Sequence, residues 1–149
     1  MGIICDLVIA DEGAAQAIVT ADNLWDTYRV YQTKLLDPVT LDGLFALLDP
    51  PSPDLGAWCD TPLAERDEQA VCQLPLAIVA RLAALTPGQR HDLAWRWWQE
   101  SEELAMAYKF TRLSPDEIAG EVLALVDGVC AFVREAVEGG QCVYLYLSP

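Results

Sequence analysis

Residues 86–108 read TPGQRHDLAWRWWQESEELAMAY and show the clearest helical period in the chain. Thr86 is a suitable N-cap, and Pro87 suits the first helical position because its missing N–H would have no helical partner there. One stripe of the predicted helix carries Ala94, Trp97, Trp98, Ser101, Leu104, Ala105 and Tyr108. We expect this helix to anchor the core, because each buried indole removes over ~150 Å² of surface from water.

A second flank of the same predicted helix carries residues outside that stripe. His91, Trp95, Glu102 and Met106 lie roughly 60–90° from the stripe at about 100° per residue. A tryptophan in this position is either buried by another element or left facing a partner. We therefore predict His91, Trp95 and Glu102 as partner-binding residues, and expect Trp97 and Trp98 to matter for folding instead.

Composition limits the classes of partner. The 149-residue chain has 23 acids against nine Lys and Arg, a net charge of −14. A field of this sign repels phosphates, which argues against nucleic-acid binding and against docking on an anionic membrane. The hydrophobic fraction of 53% is enough for a core, so we predict one domain over residues 1–149. The charge is typical either of an acidic soluble protein or of one complementary to a basic partner.

The cysteines form an odd set without a C-x-x-C motif, and no signal peptide precedes them. This pattern predicts five reduced thiols and a cytoplasmic location. The five residues are Cys5, Cys59, Cys72, Cys130 and Cys142.

The N-terminal part predicts a strand followed by a helix. Ile3–Ala10 is short, apolar and β-branched, as in a buried strand, and is too short to span a membrane. Asp11 is a candidate cap for a helix over Glu12–Thr20. Asp6 is an acid within the apolar strand, and three interpretations stay open: a solvent-facing carboxylate, a buried hydrogen-bonded acid, or a catalytic acid.

The middle of the chain predicts a large loop. A strand is expected near Thr27–Thr33, and Thr40 is expected to cap a short helix with the sequence LDGLFALLD. The prolines at 50, 51 and 53 forbid helix and hinder strand pairing, so Pro50–Glu68 is predicted as the principal loop. It contains Trp58, a fourth candidate partner-binding residue; the loop is either a binding loop or an apolar lid folded on the core.

The remaining pattern completes an α+β fold. Ser114, Pro115 and Glu117 predict a capped helix start, and Gly139-Gly140 a stop after Glu138. Three further elements are a strand over Glu68–Leu74, a helix over Leu76–Leu85 with Pro75 at its first position, and a final strand over Gln141–Leu147. We predict a small mixed sheet that includes both terminal strands, covered by about four or five helices.

Three segments carry a family resemblance: the Met1-Gly2 start, the helix LDGLFALL at 41–48, and FVREAVEGG at 132–140 running into VYLYLS at 143–148. In this layout the chain resembles the YfbM-like family of small bacterial proteins of unknown function. The resemblance implies an α+β fold and supplies neither a reaction nor a site.

No motif predicts catalysis, a metal or a cofactor. One histidine and scattered cysteines give no zinc spacing, and His91-Asp92 lacks the further histidines of a phosphohydrolase site. There is no G-x-S-x-G elbow and no glycine-rich loop that opens a helix. We therefore predict no catalytic residue, no metal ligand and no cofactor.

Two function classes remain. The first is a protein-interaction module, such as an immunity-type antidote that binds a basic partner protein. The second is an enzyme or small-ligand binder with a carboxylate-based site near Asp6 or the Trp58 loop.

Overall fold

A computed structural model describes residues 3–33, 35–48 and 58–149. Its five described strands are β1 (Ile4–Ala10), β2 (Arg29–Thr33), β3 (Ala64–Arg66), β4 (Gln69–Gln73) and β5 (Cys142–Ser148). They form one sheet in the order β2-β1-β5-β4-β3. The α+β prediction with both terminal strands in the sheet is confirmed, and these two strands lie side by side. Within the described residues each pairing is antiparallel, where the sequence had suggested a mixed sheet.

Seven helices lie within the described ranges. They are α1 (Ala15–Val19), α2 (Leu24–Thr27), α3 (Pro38–Phe45), α4 (Leu76–Ala84), α5 (Pro87–Glu100), α6 (Glu102–Tyr108) and α7 (Pro115–Glu138). The count exceeds the expected four or five because α2 is a single turn and because the helix predicted over residues 86–108 is divided into α5 and α6.

The alternation of each strand sends side chains to two apolar layers. Leu7 of β1 and Leu145 of β5 face a large core shared with α3 to α7. Val8 and Tyr144 face the opposite side, where the small helix α1 packs. The sheet is therefore covered by helices on both faces, and α4 and α5 pack against the long helix α7.

The predicted start of α5 is confirmed. The Thr86 hydroxyl accepts from the N–H of Gln89, and the Gln89 side chain accepts from the N–H of Thr86, a complete capping box. Ser114 and Glu117 make the same reciprocal pair at the start of α7, which ends at Glu138 as expected.

The prediction of one unbroken helix to Tyr108 is wrong. Ser101 has extended backbone angles (φ −88°, ψ 114°), ends α5 and caps α6. Its hydroxyl accepts from the N–H of Leu104, and Glu102 and Glu103 lie in the first turn, where carboxylates favour a helix start. The sequence Ser-Glu-Glu-Leu is thus a second start signal inside an otherwise helical period.

Two other predicted caps are also wrong. Asp37, not Thr40, caps α3, and Pro38 occupies the first turn. Helix α1 begins at Ala15 without any side-chain cap, although Asp11 was expected to supply one. In both cases the N-cap position is displaced by three residues, to Asp37 instead of Thr40 in α3 and to Ala14 instead of Asp11 in α1.

Part of the predicted loop forms a hairpin. Ala64–Arg66 pairs with Gln69–Gln73, and Asp67 in the turn has a positive φ of 53°, which Asp tolerates better than most residues. The proline-rich part of that loop, residues 50–57, lies outside the described residues.

Candidate functional site

Trp95 is the tryptophan of α5 that the core does not bury. The helical period turns Trp97 fully into the core, with 0% exposure, and leaves 56% of Trp95 exposed. Trp98 is intermediate in exposure between these two. Its ring meets that of Tyr108 edge-on at a centroid distance of 6.0 Å. The open alternative for Trp95 is thus resolved in favour of exposure.

Trp95 stands at the edge of a groove between α5 and α7. The lining residues are His91, Ala94 and Trp95 from α5, and Ala119, Gly120 and Leu123 from α7. The groove holds about 160 Å³ and is mainly apolar. A Cβ added to Gly120 would meet no atom within 4 Å, so this glycine leaves open space in the groove.

An ion pair marks the start of α5 beside this groove. Arg90 Nε donates to Asp127 Oδ1 at 2.8 Å, and Arg90 also donates to the carbonyl of Leu85 at 3.0 Å. Because Arg90 meets Asp127 while Trp95 shares the groove with Gly120, α5 and α7 run in opposite directions. The arrangement holds the two helices together without occupying the groove lining.

The two helices that form the groove carry a net negative charge. Helices α5 and α7 carry eight carboxylates and three arginines. Two of these carboxylates are paired with cations, Asp127 with Arg90 and Glu135 with Arg29. Arg96 and Arg134 donate instead to the carbonyls of Leu47 and Ala83. Asp116 and Glu117 lie exposed one helical turn before Gly120, and no cation within the described residues pairs with them.

The structure brings together only two of the four predicted partner-binding residues. His91 and Trp95 share the groove, one helical turn apart. Glu102 is exposed but opens α6, beyond the break at Ser101, and does not line the groove. The continuous flank that was predicted to join Glu102 to Trp95 therefore does not exist.

Trp58 lies in a different part of the molecule. It is half-buried, its ring packs on Phe45 at a centroid distance of 5.8 Å, and its Nε1–H donates to the carboxylate of Asp42. It also borders a separate open cleft of about 310 Å³ with Leu63, Gln73, Leu74, Pro75 and Leu76. These contacts with α3 are those of a residue folded back on the core.

A disulfide overturns the prediction of five reduced cysteines. Cys59 and Cys72 are joined, with their Cα atoms 5.3 Å apart. The bond links the segment after Trp58 to the buried Cys72 of strand β4, a proximity that 13 residues of separation do not reveal in the sequence. Cysteine usage therefore no longer supports a cytoplasmic location.

The other three cysteines are free and buried. Burial raises the pKa of the Cys5 and Cys130 thiols to about 11, and the pKa of Cys142 is also raised by burial. These thiols are held in the protonated form, opposite to the thiolate that a nucleophile needs.

Asp6 is buried, which excludes the solvent-facing interpretation. It is 4% exposed, and its Oδ1 has no hydrogen-bond partner within the described residues. Its cross-strand neighbours are both neutral, Gln32 on β2 and Tyr146 on β5. Burial raises the pKa of this carboxyl, and Asp6 lines neither the groove of Trp95 nor the clefts beside Leu47 and Trp58.

The α7 side of the groove was missed by sequence reasoning. Gly120 gave a usable signal, because a glycine inside a helix costs about 1 kcal/mol relative to alanine and therefore suggests a packing or functional reason for its presence. Ala119 and Leu123 belonged to no such pattern. Their role depends on how α7 packs against α5, which the sequence does not state.

Neither a metal-binding cluster nor a membrane-spanning helix is present within the described ranges. No cluster of three or more His, Cys, Asp or Glu there could hold a metal ion. Nor does any helix described combine the length and apolar character needed to cross a bilayer. The groove of Trp95, which combines an exposed indole with an apolar lining, is the best-supported candidate site.

No family model, no curated protein and no solved structure matches the chain. The resemblance to the YfbM-like family stays a prediction.

Proposed function

We propose that the protein is an interaction module that binds a basic segment of a partner protein in the α5–α7 groove. The observation that carries the proposal is the half-exposed Trp95 beside an apolar groove, close to carboxylates that no cation of the described residues neutralises. An immunity-type antidote that blocks a basic toxin is the concrete form that fits these features.

Size argues for a protein side chain as the occupant. Pockets for small ligands usually hold roughly 300–1,000 Å³, whereas this groove holds about 160 Å³. Tryptophan is enriched among the residues that dominate binding energy, and its ring face attracts Lys and Arg cations. Nearby acids would add steering and specificity more than affinity.

The test begins with a purified partner. Proteins retained by the immobilised chain are identified, produced separately and titrated by calorimetry at about 50 and 300 mM salt. We expect Trp95→Ala to weaken binding at least tenfold, as truncation of a central aromatic anchor does, and the higher salt to weaken it as well. An antidote should also abolish the activity of its partner.

The matched control is Trp25→Ala, since Trp25 is 52% exposed but lies on α2, outside the groove. Both variants should melt within a few degrees of the parent protein. Equal losses of affinity in the two variants, or a partner whose bound region is acidic, would contradict the proposal.

An enzyme or small-ligand binder with a carboxylate-based site remains the alternative, and it has weaker support. Asp6 has neutral neighbours on both flanking strands, and Trp58 is engaged by Phe45 and Asp42. No second acid is placed beside Asp6 by the strand register, so paired-carboxylate chemistry has no geometric basis there.

A further inference from the structure

The walls of the groove are helical on both sides. His91 and Trp95 are four residues apart on α5, and Ala119 and Leu123 are four residues apart on α7. Residues at this spacing stack along one helix face, so the groove follows the seam between two antiparallel helices. Gly120 deepens it at the level of Trp95.

Such walls offer no backbone groups to a ligand. The N–H and C=O groups of α5 and α7 are used within the helices, apart from their ends. An extended segment laid in an apolar groove would leave its own backbone groups unpaired against the apolar lining, which is costly. A helix satisfies its own backbone and meets the groove with side chains spaced three and four residues apart.

We infer that the occupant of the groove is an amphipathic basic helix of the partner, with apolar residues on one face and Lys or Arg beside them. This inference rests on the proposed function. One apolar side chain enters the space over Gly120, and cations flank it near Trp95, Asp116 and Glu117. A second copy of this chain is a poor occupant, because each copy carries a net charge of −14.

The probes are three synthetic 18-residue peptides. The first has leucines at helical spacing and lysines elsewhere; the second keeps that sequence except for two central prolines; the third replaces lysine by glutamate. Binding is followed by the fluorescence anisotropy of labelled peptide and helix formation by circular dichroism. We expect the first peptide to bind and gain helicity, and the other two to bind at least tenfold more weakly.

Gly120→Leu fills the groove and should weaken binding of the helical peptide at least tenfold. The matched control is Ala131→Leu, which adds the same side chain to an exposed position of α7, about 16 Å further along the helix. This control should bind like the parent protein, and neither variant should melt more than a few degrees below it.

The outcomes separate the two proposals. Equal binding of the helical and proline peptides would overturn the helical occupant but leave a basic-segment module standing. Absence of binding by the helical peptide, or an unchanged affinity of Gly120→Leu for that peptide, would also overturn the proposal of a helical occupant. A concentration-dependent dimer that Gly120→Leu dissolves would identify a second copy as the occupant and overturn both.

Discussion

At the scale of single residues, two glycines of α7 have opposite environments. Gly128 faces Tyr31, so close that an added Cβ would lie 3.0 Å from the ring carbon Cζ, and nearer still to the hydroxyl. Tyr31 is itself half-buried and packs on Phe132 at a centroid distance of 5.7 Å. Gly120, in the same helix, has open space around it.

Gly128→Ala should therefore destabilise the protein while Gly120→Ala stabilises it. Overpacking costs roughly 1–3 kcal/mol, and the better helix propensity of alanine returns about 1 kcal/mol. We expect a net loss of up to about 2 kcal/mol at Gly128 and a gain of roughly 0.5–1 kcal/mol at Gly120. Denaturant unfolding measures both. Tyr31→Phe should relieve part of the Gly128→Ala loss, and equal effects at the two glycines would contradict the packing argument.

Asp6 should make stability depend on pH. Its pKa is raised above 3.8 by burial, so the folded state binds more protons than the unfolded state. The free energy of unfolding therefore falls as the pH rises from 3.8 through the folded-state pKa, because the buried carboxyl then has to give up its proton. Asp6→Asn keeps the shape and removes the charge. We expect the variant to be more stable than the parent near neutral pH.

The difference between the two proteins isolates this one group from the many other acids. Melting temperatures of parent and Asp6→Asn should converge as the pH falls towards 3.8, separate as the pH rises from 3.8 through the folded-state pKa, and differ by a constant amount above it. Parallel curves across that range would show that the carboxylate finds a partner that stabilises its charge.

At the scale of elements, the break at Ser101 decides which residues can act together. A single helix would have placed Glu102 on the same flank as Trp95. The serine cap and the two acids after it start a new helix instead, so α5 presents its flank to α7 while α6 packs Leu104 and Tyr108 into the core. The local cap outweighed the continuity of the helical period.

The Cys59–Cys72 bond ties the segment after Trp58 to β4, and its removal should be costly. A disulfide that closes a loop of about 15 residues contributes roughly 3 kcal/mol in the chain-entropy account. We expect the double variant Cys59→Ala/Cys72→Ala to lose about that much in denaturant unfolding. Cys130→Ala is the control: it removes a buried free thiol without breaking a disulfide, and so measures the effect of losing the thiol alone.

Thiol titration gives an independent check of the same bond. Protein that is denatured without reductant and kept anaerobic should show the three free thiols of Cys5, Cys130 and Cys142. A count of five would mean that Cys59 and Cys72 are reduced, and would restore the case for a reducing compartment.

At the scale of the whole molecule, the net charge of −14 governs which polymers the protein meets. We expect no binding of duplex or single-stranded nucleic acid at physiological salt. The nine Lys and Arg side chains, among 23 acids, would release few counterions from the phosphates. An electrophoretic shift assay with micromolar protein measures this. A shift that disappears with added salt would reveal a local basic patch and would weaken the case for a basic partner.

The sequence by itself determined the α+β class, the two terminal strands and the ends of the best-marked helices. Those features depend on local chemistry: the alternation in Val143–Leu147, the capping boxes at Thr86 and Ser114, and the stop at Gly139-Gly140. Each is encoded within a few neighbouring residues, so no knowledge of distant packing was needed to find it.

Only the tertiary structure decided the candidate site. Trp95 and Gly120 are 25 residues apart, and Cys59 and Cys72 lie on different elements; what joins each pair is the packing of α5 on α7 and the fold of the hairpin. A helical period states which face of a helix is apolar, but not which neighbour covers it. The exposure of Trp95, the burial of Asp6 and the disulfide therefore follow from contacts between elements that are distant in sequence.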